Sequence, residues 1–104
     1  MSGAANPARG EASLTVSGAR LLLRPSFAAL VAAEEELGPL FALVERAAKG
    51  SLALGELVGL FWHCVAERPA ALTRAQLGEA VVEAGLAAVT PVLRVLIGQI
   101  LKGR

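Results

Sequence analysis

The chain has 104 residues, a formal net charge of +1 and a hydrophobic content of 55%. This length fits one domain, because domains cluster at roughly 100 to 150 residues, and the apolar content excludes a disordered chain. Ten basic and nine acidic side chains are scattered along the sequence, which excludes nucleic-acid binding, because phosphate contacts need a clustered basic face.

The N-terminal part of the sequence predicts a β-hairpin. Residues 1–10 are small and polar and are expected to form a flexible arm, with a single domain over 11–104. From Ala12 to Val16 apolar and polar residues alternate, which is the period of a half-buried strand. Ser17-Gly18 supplies a turn, and the alternation in residues 20–24 (RLLLR) predicts the returning strand. Two strands alone are marginally stable, so helices must cover them.

The rest of the sequence predicts helices, because apolar residues recur at spacings of three and four. The predicted helices cover residues 27–37, 40–48, 53–67, 74–84 and a last stretch ending at 102. Glycines stop several of them, and Arg68-Pro69 stops the third, since the residue before a proline resists the helical region. The expected fold class is therefore α+β and mostly α, with an N-terminal two-stranded β-hairpin packed on about five short helices.

The last helix is the most apolar segment. Thr90 can cap it with Pro91 in the first turn, or it can begin near Leu86 and bend, since an internal proline costs about 3 kcal/mol. Arg94 is the one charge in residues 86–101, but this stretch is shorter than the ~20 residues that a membrane span needs. We expect no membrane span and no secretory signal, and the single cysteine fits a cytoplasmic location.

Few side chains are available for chemistry. His63 and Cys64 are neighbours on a helix and point about 100 degrees apart, and no second histidine or cysteine exists to complete a zinc site or assist a thiolate. We interpret Cys64 as a small apolar residue and His63 as an exposed or rim residue. No phosphate-loop, dinucleotide-binding, HExxH or CxxC motif occurs. The chain is therefore expected to be no enzyme and to use no cofactor or metal.

Glu34 is an unusual residue, because it projects between Leu30 and Leu37 inside the apolar stripe of the first helix. One hypothesis is a partly buried ion pair with a hairpin arginine or with Arg46, which would fix how the hairpin docks. The alternative is a solvated glutamate at a frayed helix end.

Two helix faces are candidates for binding another chain. Gly55 and Gly59 lie four apart on the third helix, and Trp62 continues their face. Such glycines cost about 1 kcal/mol each, so a close neighbour is expected. An internal helix crossing is the favoured explanation, and an interface through Trp62 is the alternative. On the last helix, the candidates for binding an apolar partner helix are Leu93, Leu96, Ile97 and Ile100.

The sequence also resembles a known family. The motifs that carry the likeness are Leu14-x-Val16-x-Gly18 followed by Arg24, and Ala29-Leu30-x-x-x-Glu34-x-x-x-Gly38. Over about residues 10–103 the chain is similar to small tail proteins of gene transfer agents and related prophages of alphaproteobacteria. It departs from them at residues 63–65, at 68–69 and at Pro91.

The resemblance implies a tail assembly chaperone in the bacterial cytoplasm. Such a chaperone holds the tape-measure protein and unpolymerised tail-tube subunits, and the last helix or the open edges of the hairpin would make the contact. The alternative is a structural subunit of the tail tube or tail particle. The chain could also associate with further copies of itself as a homo-oligomer. The high apolar content agrees with either role, because a domain this small leaves apolar residues on its surface.

Overall fold

The computed structural model describes residues 11–16 and 18–103. The arm expected at 1–10 and Ser17 of the expected turn lie outside the described residues. The elements in chain order are β1 (Ala12–Val16), β2 (Ala19–Leu23), α1 (Phe27–Leu37), α2 (Leu40–Ala48), α3 (Leu54–Cys64), α4 (Arg74–Ala84) and α5 (Leu86–Lys102). The predicted class, α+β and mostly α, is confirmed.

The hairpin buries one face, as the alternating sequence predicts. β1 and β2 pair antiparallel, with Ala12 opposite Leu23 and Val16 opposite Ala19. The second strand is therefore shifted by one residue from the predicted 20–24. The buried residues of the two strands are Ala12, Leu14, Val16, Leu21 and Leu23. They face the core, which continues into α3, α4 and α5.

The third helix ends at Cys64, earlier than the predicted end at residue 67. The cause is a contact with the hairpin that lies far away in sequence. Val65 forms an isolated antiparallel bridge with Leu23, and the Ala66 N–H donates to the Leu22 carbonyl over 2.9 Å. These bonds replace helical ones, so the backbone leaves the helix before the proline is reached. They also cover the end of the outer edge of β2, around Leu22 and Leu23, which was expected to be open.

The last helix begins at Leu86 and contains Pro91. A start at Leu86 is the second of the two starts that the sequence left open. The Thr90 hydroxyl donates to the Leu86 carbonyl over 2.7 Å and stabilises the first turn. α4 and α5 meet at Gly85 and are bent by 116°. Among the described helices, none alone is long and apolar enough to cross a membrane, and only this bent pair counted together reaches that length and composition.

The core is centred on α3, which packs between α1 and α4. Its buried residues are Leu57, Val58, Gly59, Leu60, Phe61 and Cys64. Apolar side chains from the hairpin and the other helices close around this helix. α2 and the outer side of α5 lie at the margin of the core, and this position leaves part of both helices uncovered.

Candidate functional site

An apolar groove runs between α2 and α5. Near the start of α2 it widens into a hollow of about 260 Å³, which we call the Phe41 end. Near the end of α2 it widens into a hollow of about 490 Å³, which we call the Ala48 end. The apolar lining of this α2–α5 groove is formed by Leu40, Phe41, Val44, Ala47 and Ala48 of α2 and by Leu93, Ile97, Ile100 and Leu101 of α5. The last turn of α5 lines the Phe41 end, so the two helices run antiparallel.

The groove leaves large apolar side chains in water. Phe41 is 90% exposed and Leu101 is 63% exposed, although α2 buries Leu43 on its other side and Val44 within the groove lining. Burying a side chain such as phenylalanine stabilises by roughly 1.5–3 kcal/mol. The exposed face is therefore a surface where association with another protein is favourable.

The four α5 residues predicted to bind a partner lie in two different environments. Leu93, Ile97 and Ile100 are half-buried and line the groove. Leu96 is fully buried in the core, so its prediction as a partner contact is wrong. On a helix that lies against a core, apolar periodicity marks both the inner side and the margin, and only the neighbouring helices decide between them.

Sequence reasoning missed Phe41 and Leu101 as surface residues. Leu40, Phe41 and Val44 lie three or four apart in the second helix, a spacing that predicts an apolar stripe and does not mark Phe41 as exposed. The structure buries Leu43, which points roughly 160 degrees away from Phe41, and Val44, which points roughly 60 degrees from it. A helical projection therefore separates Phe41 from Leu43 but not from Val44.

Among the described residues Glu34 forms no ion pair with Arg24 or Arg46, and its side chain is exposed, as the alternative of a solvated glutamate expects. Its Oε2 accepts a hydrogen bond from the Leu40 N–H over 2.9 Å. This N–H belongs to the first turn of α2, where backbone donors have no partner inside the helix. Two of the arginines proposed as partners bind other carboxylates: Arg24 binds Glu11, and Arg46 binds Glu56. Glu34 therefore fixes the junction of α1 and α2 at the Phe41 end of the groove.

Trp62 lies outside the groove and is half-buried. The Arg68 guanidinium lies 4.0 Å from the centroid of its ring, which is a cation–π geometry. Arg68 also donates to the Trp62 carbonyl over 3.1 Å. One side of the ring is thus covered by the chain itself, and binding of a partner through Trp62 stays a prediction.

Gly59 of α3 lies against side chains of both α1 and α4. A Cβ atom there would lie 2.6 Å from Arg74 Nη2 and 3.2 Å from Leu37 Cδ2. A Cβ atom at Gly55 would meet nothing within 4 Å. The internal crossing expected for this pair of glycines is therefore found at Gly59 and not at Gly55.

Alanine substitutions at these two glycines should have opposite effects. Gly55→Ala is expected to raise the free energy of unfolding by roughly 0.5–1 kcal/mol, because alanine is the better helix former and the space is open. Gly59→Ala should lower it by about 1 kcal/mol, because crowding of Leu37 and Arg74 outweighs that gain. Urea denaturation followed by circular dichroism measures both. Equal stabilisation by the two substitutions would contradict the close crossing.

The same crossing holds a small charged cluster. Arg74 Nη1 donates to Glu36 Oε1 over 2.7 Å, and its second amino group donates to Oε2. His63 Nε2 lies 2.7 Å from Glu36 Oε1. The hydrogen bond from Arg74, followed by the contact with His63, lowers the pKa of Glu36 to about 2. His63 is thus a rim residue with a structural partner.

This cluster should make stability depend on acid pH. The pKa of Glu36 is lower in the folded chain than its ordinary value of 4.5, so its contribution is present above pH 4.5 and is lost as pH falls towards 2. We expect the melting temperature of Glu36→Gln to fall less than that of the wild type over this window. Thermal melts at half-unit pH steps test this, with Glu35→Gln as the exposed neighbouring control. Parallel curves for Glu36→Gln and wild type would count against the cluster.

Cys64 is 1% exposed, as the prediction of a small apolar residue requires. Burial raises the pKa of its thiol to about 12, so it is protonated at neutral pH and is a poor nucleophile. In the described part of the chain, no group of three or more histidine, cysteine, aspartate or glutamate side chains is placed to hold a metal ion.

The fold and the groove define a small, mostly helical protein with an apolar surface of the kind that binds other proteins. The profile of the family described as phage tail tube protein, GTA-gp10, matches residues 9–103. The chain belongs to this family, and the resemblance to tail proteins of gene transfer agents is confirmed. Comparisons with curated proteins and with solved structures give no match.

Proposed function

We propose that this protein builds the tail of a phage-like particle by binding other tail proteins and catalyses no reaction. The observation that carries the proposal is the family match over residues 9–103. The α2–α5 groove supports it, because a contiguous exposed apolar surface is typical of a protein-binding site. The protonated, buried Cys64 agrees with a role without nucleophilic chemistry.

Of two possible roles, a subunit that stays in the tail tube or tail particle is better supported. The description of the family names a tail tube protein. The incorporated subunit would contact tail-tube subunits or the tape-measure protein within the particle. Half-buried residues along the groove, such as Leu93, Ile97 and Ile100, would be covered by these contacts.

The second role is a tail assembly chaperone, which would hold the tape-measure protein or unpolymerised tail-tube subunits in the cytoplasm and then leave. The observation that favours it is the exposure of Phe41 and Leu101. A chaperone binds its partners transiently, so its apolar binding surface is exposed to water whenever no partner is bound.

The protein composition of purified particles separates the two roles. Quantitative mass spectrometry should find a structural subunit in a fixed ratio to the tube protein, and a chaperone should be missing from particles yet be retained by tagged tape-measure or tube protein. Deletion of the gene should abolish intact tails in both cases, and a plasmid copy should restore them. Normal tails after deletion, with no retention by either tail protein, would contradict the proposed function.

A further inference from the structure

We propose that the α2–α5 groove binds the same groove of a second copy of this chain, in a dimer with twofold symmetry. The inference rests on the proposed function, in which the groove is a site of association between tail proteins, and it takes the tail protein in the groove to be a second copy of this chain. In a twofold interface residue i of one copy meets residue j of the other, and j meets i. The surface must therefore contain both halves of every contact.

The groove contains a projecting apolar side chain at one end and an apolar hollow at the other. Phe41 is 90% exposed at one end, and the hollow of about 490 Å³ at the other end includes Ala47, Ala48 and Gly98. Ala48 follows Phe41 by seven positions, which places both on one face of α2 about 10 Å apart. When two α2 helices pack antiparallel, each Phe41 enters the hollow of the other copy.

The charges of the groove favour this orientation. Glu34 lies at the Phe41 end and Arg94 at the Ala48 end, and both side chains are exposed. An antiparallel pairing brings Glu34 of each copy to Arg94 of the other, whereas a parallel pairing sets like charges against each other. Complementary charges of this kind fix register and exclude wrong partners. This complementarity of the surface with itself selects a second copy as the occupant.

The size of the surface fits a stable dimer. Specific interfaces bury roughly 800 Å² on each partner, which is about the area of one whole face of a body of 32 × 27 × 25 Å. The flanks of α2 and α5 must therefore join the groove in the interface. The groove supplies apolar contacts through Phe41 and Leu101, and Glu34 and Arg94 add a charged group at each of its ends.

Sedimentation equilibrium of the full chain over a concentration series tests the dimer. We expect a reversible monomer–dimer equilibrium in the wild type. Phe41→Ser should raise the dissociation constant at least about 100-fold, because both copies lose a buried aromatic ring. Phe27→Ser is the matched control, because Phe27 is 86% exposed and lies outside the groove. A wild type that stays monomeric up to about 1 mM, or equal effects of the two substitutions, would overturn the proposal.

A charge reversal tests the orientation. Arg94→Glu should weaken the dimer about tenfold, because it sets a carboxylate against Glu34 of the other copy, whereas Arg94→Lys keeps the charge and should leave the dimer nearly unchanged. Ala48→Trp fills the hollow while leaving Phe41 and the Glu34–Leu40 hydrogen bond in place, and it should also abolish dimerisation in a folded chain. Equal effects of Arg94→Glu and Arg94→Lys, or a dimer unaffected by Ala48→Trp, would refute the antiparallel pairing.

Failure of this inference is distinguishable from failure of the proposed function. A chain that is monomeric in solution and present in purified particles would overturn the dimer and leave the tail role in place. A dimer whose gene can be deleted without effect on tails would support the pairing and contradict the tail role.

Discussion

Replacing Leu96 by alanine should lower the free energy of unfolding by about 2–4 kcal/mol. Leu96 lies on the helix face that the sequence offers as a partner surface, yet it is fully buried in the core. The loss has two parts, the transfer of the removed methyl groups and the cavity left where the core cannot collapse. Urea denaturation followed by circular dichroism measures it.

Leu101→Ala is the control for this prediction, because Leu101 lies on the same helix and is 63% exposed. Its free energy of unfolding should stay within about 0.5 kcal/mol of the wild type. Sedimentation should instead show weaker association, since Leu101 lines both ends of the groove. If Leu96→Ala kept full stability and lost only association, the assignment of Leu96 to the core would be wrong.

The elements that the sequence predicts well depend on local signals. The alternation from Ala12 to Val16 places one face of the strand inward. Thr73 followed three residues later by Gln76 is a capping-box pattern, and the Gln76 N–H donates to Thr73 Oγ1 at the start of α4. Glycines end helices at Gly38 and Gly85 with positive φ. Each signal acts within a few residues, so it can be evaluated without knowing what the segment packs against.

The features that the sequence could not predict depend on neighbours distant in the chain. α3 ends early because Val65 bridges Leu23, a pairing that no local pattern around Val65 encodes. Glu34 binds the Leu40 N–H because Gly38 and Pro39 bring the start of α2 back towards α1. A helical projection shows only that its carboxylate needs a partner, and a backbone donor serves as well as an arginine.

The candidate site also depends partly on local sequence signals and partly on contacts distant in the chain. The apolar surplus predicts a surface patch, but its location depends on which side of α2 and α5 the hairpin and α3 leave uncovered. Ile97 and Leu96 are adjacent and equally apolar, and one lines the groove while the other fills the core. The sequence therefore indicated a tail protein and an apolar face on the last helix, while the packed structure was needed to show which residues of that face line the groove.

The bend at Gly85 determines where α5 lies, and Gly85→Ala should lower the free energy of unfolding by about 1–3 kcal/mol. Gly85 has φ +92° and ψ 146°, a conformation that side chains with a Cβ rarely adopt. Its N–H donates to the Val81 carbonyl over 3.0 Å, and its carbonyl accepts from the Val89 N–H over 3.2 Å. One residue thus ends α4 and begins α5.

The cost at Gly85 comes from the backbone alone, because a Cβ atom there would meet nothing within 4 Å. Gly78→Ala is the matched control on α4, since its Cβ would lie 3.8 Å from Val58 Cγ1, an ordinary contact. That substitution should stabilise by roughly 0.5–1 kcal/mol. Denaturation of both variants tests the difference, and equal stabilities would show that Gly85 is not held at positive φ. Because the bend also positions one wall of the α2–α5 groove, Gly85→Ala should weaken association as well, whereas Gly78→Ala should leave association unchanged.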